Sequence, residues 1–236
     1  MLVAAFAYAS VGHGGASAYI AAMALAGIAP AEMRPIALSL NLLVSAMATY
    51  KFKRAGYFRW RLFWPFAVVS VPLAFLGGAI TLPGHWYKIL VGVVLIYAAW
   101  QLWRSARAGE DLREVREPPL GLAMAGGALL GFLSGLTGVG GGIFLSPLLL
   151  LAGWAGTKQT SAVAAPFILV NSIAGLAGGF TVQAASLPAQ IWVLAVAVLI
   201  GGWLGAEYGS RRFTNPFIRR LLAVVLAVAG AKMLFV

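Results

Sequence analysis

The sequence contains no cysteine and only two histidines, His13 and His85. Disulfides and thiolate metal sites are thereby excluded, and a multi-histidine metal centre has too few ligands. Charge is scarce as well: 10% of the 236 residues are charged and only six are acidic, against about 25% charged in soluble domains. No Ser–His–Asp set, paired carboxylates or metal cluster can be assembled, so neither enzymatic chemistry nor a cofactor is expected. Met1 to Ser10 has no positive n-region and does not read as a cleaved signal peptide.

Apolar residues fill the space that charge leaves. They make up 61% of the chain, above the roughly 45–50% of soluble domains. At about 20 residues per crossing, the length accommodates roughly eight apolar segments. An integral, multi-pass membrane protein in a lipid bilayer is the expectation. The net charge of +11 then reads as the basic excess of cytoplasmic loops rather than as a nucleic-acid footprint.

Eight hydrophobic runs are separated by polar punctuation. They cover Leu2–Ile28, Pro35–Tyr50, Leu62–Leu82, Trp86–Trp103, Leu120–Trp154, Ser161–Phe180, Ile191–Tyr208 and Pro216–Val236. The first run of each half is interrupted, by Gly12-His13-Gly14-Gly15 and by Gly138-Val139-Gly140-Gly141-Gly142. Between the halves lies one long hydrophilic stretch carrying four arginines, four acids and a Pro-Pro. This predicts an N-terminal membrane repeat over 1–103, a cytoplasmic linker over 104–118 and a C-terminal repeat over 119–236.

Internal similarity supports the division. A shift of 126 residues places Gly12, Gly14 and Gly15 on Gly138, Gly140 and Gly141, and Ala26-Gly27 on Ala152-Gly153. It also places Ser45 on Asn171, with Asn41 one turn earlier. Charge then chooses a topology. If each broken segment turns back to the side it entered, 14 basic residues lie inside and Arg34, Lys88 and Lys232 outside. Eight full crossings divide the charges much less sharply, so the positive-inside rule favours the re-entrant reading. The fold class expected is all-α, with two inverted repeats, each a glycine-broken re-entrant hairpin plus three transmembrane helices.

Non-helical backbone survives at membrane depth only where protein or water satisfies it. The half-helices that follow the breaks, starting near Ala16 and Ile143, would aim unpaired N–H groups at the midplane, and helix N-termini attract anions. Interrupted segments at matching places in two halves are a pointer to a transporter's binding site. The candidate substrate-binding set is Gly12, His13, Gly14, Gly15, Ser17, Asn41, Ser45, Thr137, Gly138, Gly140, Gly141, Gly142, Asn171 and Ser172. Ser10, Ser39, Ser134 and Ser161 are further neutral donors nearby. His13 is also the candidate for proton coupling, because histidine changes charge near neutral pH; a ring satisfied by local backbone is the alternative. Asn41 and Asn171 could equally be interhelical glue.

Other features have plainer readings. Glu207 is the one acid in a hydrophobic run, and Arg211 four residues later is its expected partner. Trp60, Trp64, Trp86, Trp100 and Trp103 read as interfacial belt residues. Gly127, Gly131 and Gly135, like Gly201, Gly205 and Gly209, form small-residue ladders for close helix packing. Such ladders could also join protomers, which makes a homodimer one arrangement to test.

The glycine pattern opening each half, the Ala-Gly ending and the Asn/Ser-bearing helix that follows resemble the sulfite exporter TauE/SafE family. The strongest piece is Leu133-Ser-Gly-Leu-Thr-Gly-Val-Gly-Gly-Gly-Ile-Phe-Leu-Ser-Pro-Leu148, and the resemblance covers nearly the whole chain. His13 and Ala16 depart from the family pattern in the first repeat. The resemblance implies a bacterial inner-membrane secondary transporter, more an exporter than an importer, for a small sulfur-containing anion such as sulfite, sulfoacetate or thiosulfate. A passive anion channel, an importer of another small anion or organic acid, and a non-transporting scaffold are the alternatives.

Overall fold

The computed structural model describes residues 1–105, 116–182, 191–211 and 216–235. Ten helices and no strand are found among the described residues. In the first half they are α1 (Leu2–Ala9), α2 (Ala16–Leu25), α3 (Pro30–Arg54), α4 (Trp60–Ala79) and α5 (Gly84–Ser105). In the second half they are α6 (Leu120–Thr137), α7 (Gly142–Leu151), α8 (Thr157–Val182), α9 (Ile191–Arg211) and α10 (Pro216–Phe235). Each half therefore runs as a broken pair followed by three long helices. Most of the hydrophilic stretch, 106–115, and Arg212 lie outside the described residues.

Five helices, α4, α5, α6, α8 and α9, are long and apolar enough to cross a membrane. The protein is a multi-pass membrane protein. α3 has 25 residues and carries its charges near its ends: Glu32 and Arg34 at one, Lys51, Lys53 and Arg54 at the other. The apolar run Pro35–Tyr50 is only its middle, because hydropathy measures the depth of apolar surroundings and not where hydrogen bonding stops. Trp60, Trp86, Trp100 and Trp103 are exposed on the surface, as belt residues require, while Trp64 is half-buried.

The glycine ladders decide how helices meet. Gly127, Gly131 and Gly135 lie against the backbone of Phe66, Ser70 and Ala74, so α6 runs parallel to α4 with no room for a side chain between them. Gly201, Gly205 and Gly209 do the same against Leu2, Phe6 and Ser10, which lays α1 parallel along α9. Both ladders are thus used within one chain, and the homodimer loses the argument they offered. α3 packs on α8, and α5 on α10.

Loop contacts sort the helix ends. Lys158 Nζ donates to Tyr57 Oη at 3.2 Å, the Arg116 N–H donates to the Gly153 carbonyl at 3.0 Å, and Arg61 pairs loosely with Glu117. The α3–α4 loop, the approach to α6 and the α7–α8 loop therefore share one basic face. Since α7 ends beside the residues that lead into α6, α6 and α7 form a hairpin. Away from that face, Lys232 Nζ donates to the Leu25 carbonyl at 3.1 Å, and Arg34 to the Ile80 carbonyl at 2.8 Å. The two arms of the hairpin are unequal: α6 has 18 residues and α7 only 10.

Glu207 pairs with Lys51 of α3, whose ammonium also lies 3.8 Å from the centre of the Trp203 ring. The expected contact with Arg211 involves a side chain outside the described residues.

Candidate functional site

The breaks occur where the glycines stand. Gly15 and Gly141 are the N-caps of α2 and α7, at φ +92° and +79°. Only glycine adopts this region without steric penalty, so neither half-helix could begin there with another residue. The half-helices start at Ala16 and Gly142, within a residue of the sequence expectation.

The two breaks converge on Asn41. This residue is fully buried and is the twelfth of the 25 residues of α3, close to the helix's mid-length. A Cβ on Gly14 would overlap the Asn41 amide, and one on Gly140 would overlap the same amide from the other break. Asn41 Nδ2 donates to the Val139 carbonyl at 3.4 Å and to Ser172 Oγ at 3.2 Å. Asn41 Oδ1 is buried without a partner among the described residues. One side chain thus holds together the first break, the second break and α8.

Around this junction the breaks differ. Ser161 of α8 donates from Oγ to the Val11 carbonyl at 2.8 Å, anchoring the first break. At the second break, Gly138 lies against Arg34, and Tyr87 Oη donates to the Thr137 carbonyl at 3.1 Å. Thr137 Oγ1 donates to the Leu133 carbonyl and accepts from the Val139 N–H.

A cavity of about 80 Å³ opens beside the first break. That is several times the room one water needs, and enough for a small oxyanion. Tyr8 lines it from α1, His13 from the break, Ile143 and Ser146 from α7, Thr157 and Thr160 from α8, and Gln101 from α5. No residue lining it carries a fixed charge. It extends toward the ends of α5 and α8 that bear Arg104 and Lys158, hence toward the basic face. The first turn of α8 borders it, and an N-terminus contributes about half a positive charge through its unpaired N–H groups.

The polar atoms of this cavity are poised for a guest. Ser146 and Thr160 are 5% and 2% exposed, and both hydroxyls are buried without a partner among the described residues. Tyr8 Oη accepts from Ser17 Oγ at 2.9 Å, which leaves its own proton for donation. His13 Nδ1 lies 3.0 Å from the Val11 carbonyl. That bond requires the proton on Nδ1, so Nε2 can donate only when the ring is protonated. The His13 ring also meets Tyr8 edge-on at 6.2 Å.

The candidates named from sequence divide accordingly. His13 lines the cavity, and Ser17 supports Tyr8 behind it. Gly12, Gly14, Gly15, Gly138, Gly140, Gly141 and Gly142 shape the breaks, while Asn41 and Ser172 tie them together. Ser45 and Asn171 are buried and donate within their own helices, to the carbonyls of Leu42 and Phe167. Tyr8, Gln101, Ser146 and Thr160 were not among the candidates. Ser146 and Tyr8 had a signal, as hydroxyls in apolar stretches close to a break; Thr160 and Gln101 are brought in only by helix packing.

A family model described as sulfite exporter TauE/SafE matches residues 1–233. A probable membrane transporter protein of Sinorhizobium fredii is 43% identical over 237 residues, covering 99% of this chain and 95% of that relative. A second, from a Sinorhizobium species, is 30% identical across 94% of this chain and 85% of its own length. One from Methanocaldococcus jannaschii is 26% identical across 83% and 74%. No solved structure matches this chain.

Proposed function

The chain belongs to the sulfite exporter TauE/SafE family of membrane transporters, and from that premise we propose that it exports a small sulfur-containing anion by alternating access. Sulfite or a sulfonate such as sulfoacetate is the cargo, and the bacterial inner membrane is the site of action. The observation that carries this reading is the meeting of both glycine breaks at Asn41, beside a cavity lined by His13 and unpartnered hydroxyls. Such an arrangement offers an anion helix N-termini and neutral donors, which hold charge without trapping it.

The inverted-repeat arrangement draws support from the packing. α1 lies parallel on α9 and α6 parallel on α4, which is the same contact with the halves exchanged. With the basic face placed inside by the positive-inside rule, the cavity opens to the cytoplasm. Arg34 and Tyr87 cover the second break on the outer side, a closure that favours alternating access over a passive channel. His13 supplies a route to proton coupling, since its Nε2 becomes a donor to the anion only on protonation.

The test is flux in vesicles. Purified protein reconstituted into liposomes should show saturable sulfite counterflow, accelerated by sulfite on the opposite side. Non-saturable conductance would establish a channel instead. Absence of any sulfite, sulfoacetate or thiosulfate flux would remove the sulfur assignment.

A further inference from the structure

The cavity beside the first break contains donors but no fixed cation. Three hydroxyl-bearing residues line it, Tyr8 on α1, Ser146 on α7 and Thr160 on α8. Two of them are more than nine-tenths buried and have no partner among the described residues, an unusual state because buried polar groups are nearly always bonded. A serine or threonine in a helix can return its proton to the carbonyl one turn back, as Thr49 and Thr137 do. Ser146 and Thr160 do not.

We propose that Tyr8, Ser146 and Thr160 form a recognition subsite for a singly charged oxyanion, and that the site discriminates against dianions of the same shape. This deepens the transport reading given above and rests on it: the group held is hydrogen sulfite or a singly charged sulfonate end, not the sulfite dianion or thiosulfate. Three hydroxyl donors match the three oxygens of a sulfonate-like group. The charge available is small: about one half from the α8 N-terminus, joined by one more only when His13 is protonated. The desolvation cost of burying an ion grows as the square of its charge, so a dianion costs about four times as much while meeting the same donors. His13 and Tyr8 are the titratable residues among those that line the cavity, and neither gives it a permanent counter-charge.

The experiment compares two tetrahedral sulfur oxyanions on the full chain, purified in detergent at neutral pH. Methanesulfonate is monovalent and sulfate divalent, and each is titrated while the unfolding temperature is followed. Methanesulfonate should stabilise the protein, and sulfate should bind at least about tenfold more weakly. Thr160→Val and Ser146→Ala should each weaken methanesulfonate by about tenfold or more, the loss expected for a charge-assisted hydrogen bond. Thr160→Ser keeps the hydroxyl and should keep the affinity. The ligand-free unfolding temperatures of these variants should match that of the parent, because no bond within the protein is lost. Equal stabilisation by sulfate, or equal affinity in Thr160→Val and Thr160→Ser, would overturn the subsite. If vesicles still show saturable sulfite counterflow, only the subsite falls. If binding and flux are both absent, the transport reading fails with it.

Discussion

The two glycine breaks use the same backbone device in different company. At Gly12–Gly15 the chain borders a cavity that reaches toward the basic face, with His13 inside it. At Gly138–Gly142 the corresponding stretch is covered by Arg34 and pinned by Tyr87, and Val139 stands buried where the first break has histidine. The contrast shows that a glycine break sets where a half-helix can begin, while neighbouring helices decide whether solvent and ligand reach it. Two like motifs, one open and one closed, are what a transporter halted in one conformation should display.

The largest way to break this comparison is to fill the junction. Gly140→Ala places a side chain both at φ +82° and inside the Asn41 amide. We expect a loss of about 3 kcal/mol or more from strain and overpacking together. Gly153→Ala, at φ +68° with nothing within 4 Å, isolates the backbone component, about 1–2 kcal/mol. Thermal unfolding in detergent should rank them in that order; similar losses would mean that Asn41 yields easily.

Unsealing the closed break comes next. The chain has no native cysteine, so one introduced thiol reports alone. Val139→Cys should resist a membrane-impermeant thiol reagent applied from the Arg34 side. Adding Tyr87→Phe should raise its labelling about fivefold, the effect on a two-state population of losing one hydrogen bond of roughly 1 kcal/mol. Ser146→Cys should be labelled from the basic face without any second change. Labelling of Val139→Cys at full rate in the parent would show that the second break is already open.

Protonation sharpens the difference between the breaks, because only the first contains a titratable side chain. With the Nδ1 proton committed to Val11, anion binding takes up one proton at His13. Affinity should then fall as pH rises, because a proton is taken up on binding. His13→Gln should flatten the profile. A profile unchanged in that variant would assign the proton elsewhere.

How much of this was written in the chain can be judged from particular residues. The starts of α2 and α7 were legible because glycine at positive φ is a local requirement. The ladders were legible as packing surfaces, but their partners were not, since spacing alone does not say which helix a flat stripe will meet. Asn41 was visible as a polar residue in an apolar helix, yet its contact with both breaks depends on where α3 crosses them. The cavity was largely invisible for the same reason: its lining comes from five helices and a loop. Hydropathy also placed the ends of α3 too far inward, because charged turns continue the helix beyond the apolar run.

The smallest expected effect lies on the basic face. Glu207→Gln removes the ion pair with Lys51, but the ammonium keeps its place over Trp203, and both side chains are partly exposed. A cost of up to about 1 kcal/mol follows, with anion affinity unchanged. An altered affinity would connect this α3–α9 tie to the breaks and extend the comparison beyond them.

The packing of α1 on α9 also has a consequence for how the molecule is made. Leu2, Phe6 and Ser10 rest on Gly201, Gly205 and Gly209, nearly the whole chain away. At a synthesis rate of about 5–20 residues per second, the partner surface emerges roughly 10–40 s after the first helix. Until then α1 has the neighbouring α2, through the Ser17–Tyr8 hydrogen bond, but not the surface it finally rests on, and the first break has no Ser161 to hold it. A helix made before the other nine thus finds its final packing surface among the last.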